Sequence, residues 1–421
     1  MRVLASLCAL VSASLLSVAQ QRIETPLQPV SIKVAGTAVH ILCTRTDVNF
    51  NGNADESDAP ASWLTVDATS RQVIKSTEFG WGNVTAQRFG YSPAMSTFDI
   101  GFNDEVYRFS MVTQANSDIV FSGPVSSVST SADGNTVWVA QRPNFTDPGS
   151  ITEINVKSKD RVAFPTGVNP QAPLPYSTAS GNGLAAICEG TFGAANGTLE
   201  IWTDLQGTRQ RTSITVGDTP NHLLIHNERA YVTVNGSHFV VVVDLTQKTA
   251  VDTILVGTSG FDGPRECVID TATADGKARL YVTTFSSDVR VFDLATGERL
   301  GTLAVGAKPE GLAIVGRELW VPRTFVEGGY AATRDVVIFD LTLPTSVHED
   351  NRPKAPSAYL AVGGSLRLPF DLERDATLTD LTGKTTSVSA VVSDAQTIDC
   401  RHLTSGVYAL RSGEHSVTII R

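Results

Sequence analysis

Twelve consecutive residues, Asp47-Val-Asn49-Phe-Asn51-Gly52-Asn53-Ala-Asp55-Glu-Ser-Asp58, set side-chain oxygens at positions one, three, five, nine and twelve, with glycine at six. A hard divalent cation such as calcium takes about six to eight oxygen ligands, and a loop in this register wraps them around one ion, the glycine permitting the sharp turn. Asn53, at position seven, would contribute its backbone carbonyl. Position twelve is Asp, shorter than the Glu usual in helix-flanked loops. The expected metal set is Asp47, Asn49, Asn51, Asn53, Asp55 and Asp58, holding a structural Ca2+. The competing reading is a plain polar turn, since Asn, Asp and Gly favour turns without any ion.

The flanks of this loop are β-like. Residues 38–44 (AVHILCT) precede it and residues 62–67 (SWLTVD) follow, so the loop sits in a hairpin and not between helices. Those strands belong to a repeat that is clearest later in the chain. Val216-Gly217, RAYVTV at 229–234 and VVVVDL at 240–245 give way to Val256-Gly257, RLYVTT at 279–284 and VRVFDL at 289–294. Val305-Gly306, ELWVP at 318–322 and VVIFDL at 336–341 follow. A period of about forty residues with several short strands per unit predicts propeller blades, which bury both faces only by stacking around a shared axis. Further units span 125–167 and 168–217, and two degenerate ones precede them. The sum predicts an all-β chain: a seven-bladed β-propeller over 20–341, a Pro/Ser-rich linker over 342–361 and a small antiparallel β-sandwich over 362–421.

In a propeller, the loops entering the innermost strands point at one mouth of the central channel. Here they carry Asn221 and His222, Arg265 and Glu266, and Lys308 and Glu310; the loops after the second strands add Arg142, Phe285 and Arg323. Polar and charged groups converging on a mouth are candidate ligand contacts. No catalytic constellation accompanies them: there is no nucleophile elbow and no His-Glu-x-x-His, so catalytic residues are expected to be none. A metal or quinone held by Glu266, Glu310 or His222 would instead mark an enzyme.

The ends and the charge bound the rest. With Lys+Arg 33 against Asp+Glu 43, the net charge of −10 argues against nucleic acid and anionic membrane as partners. Arg2, the apolar run 3–18 and Ser17-Val18-Ala19 read as a signal peptide over 1–19, and the run is too short and Ser-rich for a transmembrane anchor. Cys43, Cys188, Cys267 and Cys400 lie far apart in sequence and read as small buried hydrophobes, without disulfide or metal-ligand spacing.

Tyr231 and Tyr281 open YVTV and YVTT, each followed by a strand ending in Asp-Leu. The units thereby resemble the YVTN-type propeller family, which implies the seven-bladed fold and little about activity, because propellers host many functions. The tail residues Asp380-Leu381-Thr382-Gly383-Lys384, Leu403-Thr404-Ser405-Gly406-Val407-Tyr408 and Ile419-Ile420-Arg421 resemble the C-terminal sorting (Por) domain of the type IX secretion system of Bacteroidota. That resemblance implies Sec export to the periplasm, the type IX machinery as partner, and release or attachment at the cell surface. The expected function is noncatalytic binding of a protein, glycan or small molecule. The alternatives are a propeller enzyme of lactonase, lyase or quinone-dependent dehydrogenase type, and a structural protein of a surface layer or adhesion matrix.

Overall fold

Seven antiparallel sheets follow one another along the chain, each innermost strand beginning where the previous sheet's outermost strand ends. The computed structural model describes residues 21–342 except 49–50, 52, 81, 83, 85–87, 206–207, 259–261 and 274, then 358–360, 365–367, 376–380, 385–387, 392–394, 397–399, 407–412 and 415–420. The expected signal peptide, most of the linker, Asn49 and most of the tail motif residues lie outside the described residues. The chain divides into two units, Met1–Val347 and His348–Arg421.

The first unit is a seven-bladed propeller, as the repeat predicts. Blades 1 to 6 occupy residues 29–80, 89–122, 127–168, 170–217, 220–255 and 264–304, four strands each in simple up-and-down order. The sequence pattern shows three strands per unit; the fourth follows the Asp-Leu of the third. It was hidden because outer strands such as Thr249–Leu255 (TAVDTIL) are almost wholly exposed and carry little apolar periodicity. The recurrent Asp has a local cause. Asp244 Oδ1 accepts from the backbone N–H of Thr246 and Gln247 at 2.9 and 2.8 Å, and Asp293 Oδ1 from those of Ala295 and Thr296 at 2.9 and 3.0 Å. The side chain thus closes the turn between third and fourth strands.

Period-two alternation explains why both faces are apolar. In the blade 5 strand Phe239–Asp244, Val241 and Val243 pack toward blade 4 while Val240 and Val242 pack toward blade 6. Each of the seven blade interfaces holds one such apolar cluster, from Trp63 and Phe98 between blades 1 and 2 to Trp320 and Ile41 between blades 7 and 1. Cys43, Cys188 and Cys267 are free and buried in or against these clusters, and burial pushes the Cys43 and Cys188 thiols up to about 12.

Ring closure is non-local. Blade 7 draws its inner strands from residues 307–340, and its outermost strand is the N-terminal segment Gln21–Glu24, antiparallel to Ala332–Asp340 with Ile23 opposite Val336. Ile23 enters the blade 7–1 cluster, Asp335 holds both Arg22 and Arg323, and Arg71 of blade 1 pairs with Glu318 of blade 7.

The second unit, among its described residues, is also all β. One sheet joins the strands Ala358–Leu360, His415–Ile420, Val407–Ser412, Thr377–Asp380 and Thr385–Ser387 in that order, and a second joins Ser365–Arg367, Thr397–Asp399 and Val392–Asp394. No helix occurs among the described residues, and none is long and apolar enough to cross a membrane.

Candidate functional site

In blades 5 and 6 the Thr of the YVT motif, and in blade 7 the later strand residue Thr324, tie the ring together at one face. Thr233 Oγ1 donates to the carbonyl of Arg265 at 2.9 Å, Thr283 to that of Glu310 at 3.0 Å, and Thr324 to that of Pro29 at 2.8 Å. Each hydroxyl leaves one blade and lands on the innermost strand of the next, and all three threonines are fully buried. These bonds set the position of the strands that surround the channel mouth. Asn221 joins them, its Nδ2 donating to the Arg265 carbonyl at 3.0 Å while its Oδ1 lies 3.0 Å from the Thr233 hydroxyl, whose one proton it shares with that carbonyl. Asn221 is therefore a brace between blades 5 and 6.

At the mouth itself, Arg265 grips Glu310 through Nε at 2.9 Å and Nη2 at 2.7 Å, with its guanidinium 4.5 Å over the Phe285 ring. Phe285 continues to Phe325 and then Tyr330, ring to ring, and Lys308 Nζ sits 3.8 Å from the Tyr330 centroid. On the opposite arc, Arg142 lies 4.1 Å over Phe145. Arg323 turns away from this set, donating to Asp335 at 2.6 Å and the Gly306 carbonyl at 2.8 Å, so it braces blade 7.

Beside this set, the Lys33 charge acts on both His222 and Glu266. Glu266 is half-buried, yet so surrounded by protein that burial pushes its carboxyl up to about 7, partly offset by Lys33 and reinforced by Glu310. Burial and the Lys33 charge hold the His222 imidazole down to about 3, and its Nδ1 accepts from the Cys267 N–H at 3.4 Å. A neutral imidazole beside a carboxyl that titrates near neutrality can accept and donate hydrogen bonds without carrying net charge.

The structure thus brings His222, Arg265, Glu266, Lys308, Glu310 and Arg142 to one face and gives Asn221 and Arg323 bracing positions. Sequence reasoning passed over Glu189, which follows the second strand of blade 4 as Arg142 follows that of blade 3. Burial raises its carboxyl, against the lowering charges of Arg142 and Arg265, and Gln171 donates to it. The same loop rule applied to blade 4 selects Glu189. It also selects the rim: Phe145, Phe192 and Tyr330, in the loops after second strands or their close, are 67%, 85% and 56% exposed.

The loop of 47–58, with Asn49, Phe50 and Gly52 outside the described residues, is folded on itself by local hydrogen bonds. Asp47 Oδ1 accepts from the Asn51 N–H at 3.1 Å, Asn51 Oδ1 from the Asn53 N–H at 2.7 Å, and Asp55 Oδ2 from Asn51 Nδ2 at 3.2 Å. Hydrogen bonds from Ser57 hold the exposed Asp55 carboxyl below the usual carboxylate range. One nitrogen of Arg45 donates at 2.6 Å both to the Asp58 carboxylate and to the Asn53 carbonyl, positions twelve and seven of the loop. Asp58 Oδ1 is buried without a hydrogen-bond partner. The donor set is wholly oxygen and suits a hard cation. Among the described residues no three His, Cys, Asp or Glu side chains assemble to hold a metal, so the set depends on Asn amides and a backbone carbonyl.

No protein-family model matches this chain, and no curated protein matches its sequence.

Proposed function

We propose that this chain is an exported, noncatalytic binding propeller whose mouth face receives a protein, glycan or small-molecule ligand. The observation that carries the reading is the exposed aromatic rim of Phe145, Phe192 and Tyr330 around a salt-bridged centre at Arg265–Glu310. Large exposed aromatics lose nothing of the fold when covered, and aromatic and Arg anchors dominate binding energy at interfaces. The braces Thr233, Thr283 and Thr324 keep the face rigid, which lowers the entropic cost of binding. Export by Sec and the type IX machinery, and placement at the cell surface, rest on the leader-like N-terminus and on the tail's resemblance to sorting domains. In the same reading the loop 47–58 binds one Ca2+ through Asp47, Asn49, Asn51, the Asn53 carbonyl, Asp55 and Asp58, and pins the long hairpin of blade 1.

The test is site-specific photo-crosslinking in the native host, with a benzophenone amino acid at Phe192 or, on the opposite face, at Thr246. Adducts from position 192 alone support the reading. Adducts from neither position, or from 246 alone, sink it.

One observation favours a second reading, an enzyme. A channel carboxyl near pH 7, Glu266, has the protonation balance of a general acid or base. Turnover of a lactone or uronate polymer that Glu266→Gln abolishes would replace the binding reading.

A further inference from the structure

Charged groups of blades that do not touch act on one another across the ring. Lys33 of blade 1 influences His222 of blade 5 and Glu266 of blade 6, and Arg265 of blade 6 influences Glu189 of blade 4. Arg142, from the loop after the second strand of blade 3, acts on Glu189 as well. Blades 1 and 5 are not neighbours, nor are blades 4 and 6, so only the centre of the ring brings such residues within reach of each other.

The carboxyl groups of this set are engaged by the protein. Arg265 holds Glu310 through two nitrogens, Gln171 donates to Glu189, and the Leu312 N–H donates to Glu266. Two of the cations are not. Among the described residues the Arg142 guanidinium has neither an ion pair nor a hydrogen bond, only the Phe145 ring 4.1 Å from it, and the Lys33 ammonium has neither as well. Both residues are half-buried. A partly desolvated charge without a counter-ion costs free energy, which a bound anion would offset. Burial raises the carboxyls of Glu266, to about 7, and of Glu189, against the pull of the neighbouring cations. The negative charge around Lys33 and Arg142 is therefore incomplete at neutral pH. Beside Arg142 stands a like charge: burial, and then Arg142 itself, hold the Arg88 guanidinium down to about 10, with Asp104 opposing them.

We infer that the centre of the mouth binds a small organic carboxylate, with Arg142 and Lys33 as its charge partners. This names the ligand class of the binding reading above and rests on that reading. A guanidinium lying over an aromatic ring keeps its N–H edge in plane, the geometry that a carboxylate fits. Phe145 and Phe192, 67% and 85% exposed, offer ring surface to an apolar body attached to that carboxylate. Asn169 ties their loops together, donating to the Phe145 carbonyl at 3.3 Å and the Gly190 carbonyl at 3.1 Å. An amine would be repelled by the two cations, and a neutral ring would leave them without a counter-ion. Half-buried cations are reached by a small terminal group and not by the flat face of a macromolecule.

The probes are three acids, benzoate, phenylpropionate and glucuronate, each paired with its neutral amide. They are titrated calorimetrically onto the full chain at pH 7 and low salt. At least one acid is expected to bind about tenfold or more tightly than its amide, and added NaCl should weaken it. Arg142→Gln and Lys33→Gln should each weaken that acid by about tenfold or more. Lys157→Gln, which removes an exposed charge from a turn of blade 3, should leave it unchanged. Neither cation holds another side chain, so without probe both variants should melt no lower than the parent; saturating acid should raise the parent's melting temperature more than theirs. Three results overturn the inference: no acid preferred over its amide, binding indifferent to either substitution, or a variant that melts well below the parent because its cation already has a counter-ion in the fold. Crosslinking at position 192 decides the binding reading separately. A chain that captures a partner there yet shows no preference for acids refutes the carboxylate alone.

Discussion

Arg45 and Asp58 form an ion pair at 2.6 Å in which the carboxylate is wholly buried and the guanidinium largely so. The same guanidinium nitrogen reaches the Asn53 carbonyl, so a side-chain cation bridges two oxygens that a calcium ion would share. On the proposed reading of this loop, Arg45 and Ca2+ would compete for one position. Removing one partner of a buried pair strands the other charge, at a cost of about 3–5 kcal/mol.

From this competition follows a sign that is easy to measure. Arg45→Met is expected to destabilise the propeller in EDTA by about 3 kcal/mol, and added Ca2+ should raise its melting temperature more than that of the parent chain. Asp58→Asn should lose the calcium response. Identical melting curves with and without Ca2+ for all three proteins would exclude the metal.

Ring closure depends on four residues that directly follow the expected signal-peptide cleavage region. Ile23 is 6% exposed and packs in the blade 7–1 cluster. Burying a carboxylate there, in Ile23→Asp, should lower urea stability by about 3 kcal/mol or more. Removal of residues 21–24 should broaden the transition, because blade 7 then has an unpaired edge. A truncated chain that unfolds at the parent midpoint would show that the N-terminal strand is dispensable.

The threonine tethers admit a conservative test. Thr283→Val keeps the volume of a buried side chain but leaves the Glu310 carbonyl and the Glu266 N–H without this hydroxyl. The loss should be about 1–3 kcal/mol. Calorimetry of Thr233→Val, Thr283→Val and the double variant measures whether adjacent interfaces add; coupling is expected, because the Arg265 carbonyl that Thr233 holds and the Glu266 N–H that Thr283 holds belong to one peptide group.

Stability should fall in mild acid for an identifiable reason. Burial holds the His40 imidazole down to about 4, and its Nδ1 accepts from Trp63 Nε1 at 3.1 Å. An imidazole whose folded value lies below the unfolded one, about 6.5, stabilises the fold above that pH and loses the contribution as pH drops toward 4. The full effect is roughly 3 kcal/mol. His222 acts in the same direction, down to about 3. Glu266 has the opposite sign: its raised carboxyl favours the fold below about 4.5 and loses that advantage as pH rises through 7. Urea midpoints between pH 4 and 8 are expected to fall at the acid end. His40→Gln should flatten the acid limb and Glu266→Gln should lift the neutral one; an acid limb unchanged by His40→Gln would refute the assignment.

Much of this molecule is written in short-range chemistry. The forty-residue period, the alternation that makes VVVV a strand buried on both faces, and the Asp that caps the third-to-fourth-strand turns of blades 5 and 6 all follow from residues a few positions apart. They set strand count, turn placement and fold class without reference to the rest of the chain. The spacing of 47–58 likewise announces an oxygen-rich loop, but not that Arg45 lies between its seventh and twelfth positions. Nor does YVT reveal that its Thr donates to the next blade, or QRIE that it completes a blade built three hundred residues later. The titration of Glu266 and His222 and the reach of Lys33 across the ring to both of them belong to the same class. Each depends on which surfaces the closed ring brings into contact and how much water it excludes from them, and those are properties of the tertiary structure.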